Sequence, residues 1–112
     1  MIIAVPVANK MLSMHFGHCE EFDLYEVDEE TKSIKAVRTI KAPAHEPGLL
    51  PKWLGELGAT VIICGGMGMR AQSLFAQQGI ETVVGAPCDV TVKLVEAFLA
   101  GTLAAGENIC DH

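Results

Sequence analysis

Two short stretches of this chain place chemically capable residues where a backbone loop can present them. The first is Gly65-Gly66-Met67-Gly68-Met69-Arg70-Ala71. Residues 66–71 fit the G-x-G-x-x-A spacing of a dinucleotide-binding turn. That chemistry also needs an acidic residue closing the next strand, to take a ribose hydroxyl. Glu81 comes before that strand has run its course, and a hairpin replaces the βαβ unit that opens such domains. The physical content of the loop outlasts the failed motif. Glycines let a backbone approach a ligand, and a helix N-terminus offers N–H groups and partial positive charge. Arg70 adds a full positive charge in the first helical turn, where a cation without an anion beside it is mildly unfavourable. The same glycines also suit a plain strand-to-helix turn, and both readings stand.

The second stretch is Met11-Leu12-Ser13-Met14-His15-Phe16-Gly17-His18-Cys19. Two histidines and a cysteine within five residues are metal-ligand types, but the spacing is not that of a four-ligand structural zinc site. His45 can approach from the loop after the hairpin, since both loops should leave the same end of the sheet. Cys110, Asp111 and His112 form another ligand-like group, for which an unstructured tail is the simpler account. A lone histidine also serves as a hydrogen-bonded surface or core residue, so type alone does not establish ligation. Beyond the initiator, all four methionines (Met11, Met14, Met67 and Met69) fall in these two loops and none on an expected core face. They read either as apolar plugs over the sheet end or as a soft, polarizable wall. Together the methionines, glycines, histidines and arginine suit a ligand that is large, soft and negatively charged. A metal–sulfur cluster is such a ligand.

The elements that must position these loops follow from hydrophobic pattern. Residues 2–7 are a continuous apolar run, as for a strand covered on both faces, and 8–19 is a loop. Strands at about 21–28 and 33–41 flank a turn and form a hairpin. Lys35, Arg38 and Lys41 on its second arm suit an exposed edge. Residues 42–48, with two prolines and a glycine, are a loop. A short helix follows, with Pro51 in its first turn, a stripe of Leu50, Trp53, Leu54 and Leu57, and Gly58 closing it. Residues 60–64 are a second apolar strand, 69–78 a helix turning Ala71, Leu74 and Phe75 inward, and 80–84 a strand. Asp89 reads as the N-cap of a last helix at 90–100, with Leu94, Val95, Phe98 and Leu99 inward and Gly101 closing it. The order βββαβαβα implies an α/β domain with a mixed five-stranded sheet and helices packed on it. A single domain over 1–103 is expected, with 104–112 as a loosely held tail.

Composition narrows the function classes. The 112 residues support one domain, and 50% apolar content excludes disorder. The four cysteines at 19, 64, 88 and 110 make no C-x-x-C pair, which favours reduced thiols in a cytoplasmic protein over a disulfide scaffold. No run reaches the ~18 apolar residues of a membrane span, and the apolar N-terminus lacks the basic region of a signal peptide. The net charge of −6, without a basic run, argues against nucleic acid. It says little about the glycine-loop end, because 7 of the 14 acidic residues fall within 20–30, where no Lys or Arg occurs. Outside that stretch 8 basic residues face 7 acidic ones.

Taken in order along the chain, the motifs resemble those of the dinitrogenase iron–molybdenum cofactor biosynthesis family, which includes the orange proteins. The shared features are Ile3-Ala4-Val5-Pro6-Val7, Ser13-Met14-His15-Phe16-Gly17-His18, the Phe22 strand and Leu57-Gly58-Ala59. They continue through Ile63-Cys64-Gly65-Gly66-Met67-Gly68, Gly79-Ile80 and Ala97-Phe98-Leu99-Ala100-Gly101. The resemblance implies a ribonuclease H-like fold and a non-enzymatic carrier or store of a molybdenum-containing metal–sulfur cluster. That cluster would be a molybdenum–copper sulfide or an iron–molybdenum cofactor precursor. It implies a site bordered by His15, Phe16, Gly17, Gly65, Gly66, Met67, Gly68 and Arg70. Met14, His18, His45 and Met69 join it on the reading of the two loops. Only His45 is offered in the loop after the hairpin, which inclines the resemblance towards the orange-protein type. The implied partners are the anionic cluster itself and proteins that receive it. Two other functions compete. A ribonuclease H-like nuclease needs several carboxylates converging on two metals, and the first strand supplies none. An interaction module without a cluster needs only that the glycine loops be turns.

Overall fold

The computed structural model describes residues 1–8, 11–12, 21–43 and 48–103. Its elements are β1 (Ile2–Ala8), β2 (Met11–Leu12), β3 (Glu21–Asp28), β4 (Ser33–Lys41), α1 (Leu49–Glu56), β5 (Ala59–Ile63), α2 (Met69–Gln77), β6 (Glu81–Val83) and α3 (Thr91–Ala100). The sheet runs β4-β3-β1-β5-β6, with β2 added to β1. β4, β3 and β1 are antiparallel neighbours, whereas β1, β5 and β6 run parallel. The expected mixed α/β architecture is therefore observed, with six strands instead of five.

The period-2 alternation of the strands sorts the core into two halves. Ala4, Phe22, Leu24, Ile62 and Cys64 pack with Leu50, Leu54 and Phe75 of α1 and α2. Ile3, Val5, Tyr25, Val27, Val61 and Ile63 pack with Leu94 and Val95 of α3. Helices thus cover both faces, which explains why β1 and β5 read as continuous apolar runs. Leu50, Leu54 and Phe75 are buried as the helical periodicity predicts, while Trp53, Leu57, Ala71, Leu74, Phe98 and Leu99 are half-buried at the margins. Trp53 stands edge-on to Phe22 with ring centroids 5.8 Å apart, a favoured aromatic geometry.

Four expectations are corrected. Residues 11–12 are a strand, with Val7 opposite Leu12 and Ala8 opposite Met11. Two residues are too few to show a period, and their pairing depends on a distant segment. The Leu12 N–H donates to the Asp89 carbonyl at 3.0 Å, and Met11 bridges Val90. That bridge also corrects the cap of α3. Val90, held extended at φ −65° and ψ 141°, is the N-cap, and the Asp89 carboxylate accepts from the adjacent Val90 N–H at 2.7 Å. Of the parallel strands, β5 lies one residue earlier than read, at Ala59–Ile63, and β6 is shorter, spanning only Glu81–Val83. Finally, Met67 belongs to the core, 1% exposed beside Phe22, Phe75 and Cys64. The loop dips towards the sheet there, and the Gln72 amide nitrogen holds the Met67 carbonyl at 2.8 Å.

Candidate functional site

β1, β5 and β6 end on one side of the molecule because they are parallel. β3 begins there and β4 ends there, since Val7 pairs with Glu21 and Glu21 with Lys41. The described ends that flank the stretches bearing His15 and His45 are therefore anchored at the rim that carries the glycine loop. In open α/β sheets this rim, at the carboxyl ends of the parallel strands, is where ligands bind. Met14, His15, Phe16, Gly17, His18 and His45 themselves lie outside the described residues, as do Cys19 and the 104–112 tail.

The glycine loop is held from beneath. Cys64 N–H donates to the Val83 carbonyl at 2.8 Å, Ala86 N–H to the Cys64 carbonyl at 3.1 Å, and Gly85 N–H to the Gly65 carbonyl at 3.0 Å. These bonds carry the β5–β6 ladder past the strand ends and tie the 64–65 and 83–86 segments together. Gly65, Gly66 and Met67 are buried, and the chain reaches solvent at Gly68, Met69 and Arg70. Of the two candidate methionines here, Met67 points into the core, while Met69 is 66% exposed.

Gly68 is the N-cap of α2, where its carbonyl accepts from the Gln72 N–H at 3.1 Å. Among the described residues no side chain caps the helix, and its first turn contains no acidic residue. Backbone donors of the first turn thus have no carboxylate or hydroxyl among the described residues to receive them. Gly68 itself sits at φ −66°, a conformation open to any residue, and a Cβ added there meets no described atom within 4 Å. Neither backbone strain nor crowding by the described chain requires glycine at this position. Gly58 is the contrast: φ +90° and the Ile2 Cδ1 atom at 3.4 Å explain that glycine from within the protein.

Among the described residues no three His, Cys, Asp or Glu side chains converge as a metal-ion site. Cys64 is buried, and Cys88 is exposed with its Sγ 3.8 Å from the Leu12 carbonyl. What the described rim supplies is room, first-turn backbone donors and one guanidinium.

A polar chain that the sequence reading missed lies under α3. Thr91 Oγ1 donates to Asp23 Oδ2 at 2.6 Å, and Thr39 Oγ1 donates to Asp23 Oδ1 at 2.6 Å. Because the single Thr91 hydroxyl proton goes to Asp23, the Tyr25 hydroxyl donates to Thr91 Oγ1 across 2.6 Å. Burial pushes the Tyr25 phenol above its ordinary value, with the Asp23 and Glu96 charges adding to it and the Thr91 bond opposing. The available signal was Asp23 sharing the strand face of Tyr25 and Val27, which makes it a carboxylate on a core side.

Residues 1–101 match the family described as dinitrogenase iron–molybdenum cofactor. The chain belongs to this family. The protein MJ0580 of Methanocaldococcus jannaschii is 32% identical over 106 residues, covering 92% of this chain and 89% of that one. The crystal structure of PH0822 superimposes with a TM-score of 0.85 at 28% identity, covering 94% of each chain. The apo form of the orange protein from Desulfovibrio gigas has a TM-score of 0.71 at 24% identity, over 96% of this chain and 95% of that one, a likeness of fold. A family carried through residue 101 accounts for both the His-Phe-Gly and the Gly-Gly-Met-Gly stretches within one matched unit.

Proposed function

We propose that this family member is a non-enzymatic cytoplasmic carrier or store of a molybdenum-containing metal–sulfur cluster. The cargo is a molybdenum–copper sulfide or an iron–molybdenum cofactor precursor, seated between the 10–19 loop and the glycine loop at 65–70. The observation that carries this reading is Gly68. It is a glycine with no conformational or steric need in the described chain, at an uncapped helix N-terminus on the ligand-binding rim. A polyanion there would receive backbone N–H groups and the Arg70 guanidinium, and the exposed Met69 would give it a soft neighbour. The family's description supports the class of cargo. The strand order, with an antiparallel β4-β3-β1 half joined to a parallel β1-β5-β6 half, supports the ribonuclease H-like assignment.

Multi-element analysis of protein purified from its native source tests the reading directly. Molybdenum together with copper or iron, and a visible absorption band, are expected. Native protein free of these metals would favour the runner-up, an interaction module of the same fold. Recombinant protein produced without the cluster's own supply route does not discriminate between the two.

A further inference from the structure

The longest strand of the sheet is also its edge. β4 has nine residues and pairs with β3 on one side. Among the described residues no strand pairs with its other side. The opposite edge, β6, has three residues, the short form by which sheets discourage further pairing. Lys35 is a bulge: Glu26 faces Ala36 and Val27 faces Ile34, so the register skips one residue. From Ala36 to Lys41 the register is regular, and alternate residues of that stretch turn their backbone N–H and C=O away from β3.

The chemistry of this edge is one-sided. Three of the chain's 8 Lys and Arg residues, Lys35, Arg38 and Lys41, fall on β4, and none of its 14 acidic residues does. Its existing neighbour has the opposite character: β3 carries Glu21, Asp23, Glu26 and Asp28, with Glu21 directly opposite Lys41. Val37, between the cations, is 54% exposed. A shallow groove of about 150 Å³, lined by Ile2, Leu24, Glu26, Ala36, Val37 and Arg38, opens beside it. An edge guarded solely against aggregation needs charge but no exposed valine beside a groove.

We infer that the outer edge of β4, over Ala36–Lys41, is a docking strand for an extended acidic segment of a partner protein, added as an antiparallel strand. Backbone hydrogen bonds supply affinity, and acidic side chains facing Arg38 and Lys41 set the register. Charge complementarity decides against a second copy of this chain as the occupant, because β4 against β4 would bring six cations together. A nucleic acid is disfavoured because it has no peptide N–H and C=O groups with which to extend the β4 ladder. This inference is independent of the cluster reading.

The test uses the full chain and a labelled peptide of the β3 sequence, EFDLYEVD, an acidic strand former that pairs antiparallel with the inner edge of β4 in the fold. Its controls are the charge-reversed peptide KFKLYKVK and a single-stranded oligonucleotide. Binding of the acidic peptide at least about tenfold tighter than either control is expected, with slowed hydrogen exchange at the outward amides of 36–41. R38E should weaken that binding about tenfold and leave Trp53 fluorescence and thermal unfolding as in the parent. V37T, which keeps a β-branched residue on the strand and removes the apolar contact, should weaken binding severalfold without shifting thermal unfolding. Equal binding of all probes, peptide binding without protection of 36–41, preferential binding of the oligonucleotide, or a dimer that protects those amides without peptide would each overturn the proposal.

Discussion

Gly68 and Gly58 separate two reasons for a glycine. At Gly58 the φ of +90° is left-handed, so Gly58→Ala is expected to cost about 1–2 kcal/mol, read as a lower midpoint in urea unfolding. At Gly68 the φ of −66° admits any residue and serine is the better N-cap, so Gly68→Ser should leave the apo protein as stable or a few tenths of a kcal/mol more stable. The same serine fills the cradle and should weaken cluster retention about tenfold, or ~1.4 kcal/mol. A variant that is stabler and still retains the cluster like the parent would remove Gly68 from the site. Arg70 is exposed, so its contribution is screened: Arg70→Ala should weaken retention about fivefold at low salt and less at high salt.

At the scale of elements, the Asp23–Thr91–Tyr25 chain pins the start of α3 to the β3–β4 hairpin. Thr91 is 4% exposed, so Thr91→Val leaves one Asp23 oxygen and the Tyr25 hydroxyl without their hydrogen-bond partner in a buried setting. A loss of about 2 kcal/mol is expected, measured by denaturant unfolding with Trp53 as the probe. Serine in place of Thr91 keeps the hydroxyl and should recover most of that loss. The hairpin turn has its own local device: Asp28 Oδ1 accepts from the Glu30 N–H at 2.9 Å and, more weakly, from the Thr31 N–H at 3.4 Å. These backbone bonds hold the Asp28 carboxyl below the ordinary carboxylate value.

Across the whole molecule these two groups contribute to the pH dependence of stability at opposite ends of the scale. The Asp28 carboxyl is depressed, so its contribution is complete above the ordinary carboxylate value, near 3.8, and is lost as pH falls through its lowered folded value. The Tyr25 phenol is raised, so its contribution is complete below the ordinary tyrosine value, 10.0, and is lost as pH rises through its higher folded value. Tyr25 is the single tyrosine of the chain, which makes phenolate absorbance a clean reporter. Its titration midpoint should lie above 10 in the folded protein, and Tyr25→Phe should remove this part of the alkaline destabilisation. A midpoint at or below 10 would mean that the phenol is not buried as the structure places it.

The hairpin arms at Glu21–Asp28 and Ser33–Lys41 were legible residue for residue, because alternation and a polar turn are local signals. So were the glycines closing α1 and α3, whose left-handed φ of +90° at Gly58 and +73° at Gly101 glycine accommodates without strain. The glycine loop was legible as a strand-to-helix turn with Arg70 in the first helical turn. Other features depend on partners distant in the chain, which no local pattern encodes. β2 exists through β1 and Val90, and the start of α3 is set one residue late by that same bridge. Met67 entered the core because the loop dips over Phe22 and Phe75, whereas its sequence neighbours are glycines. The Asp23 network joins residues 68 positions apart. Residue type and period determined which elements form and where the chemistry could sit. Tertiary packing alone decided which side chains of the glycine loop face solvent, because burial is a property of what lies across the sheet.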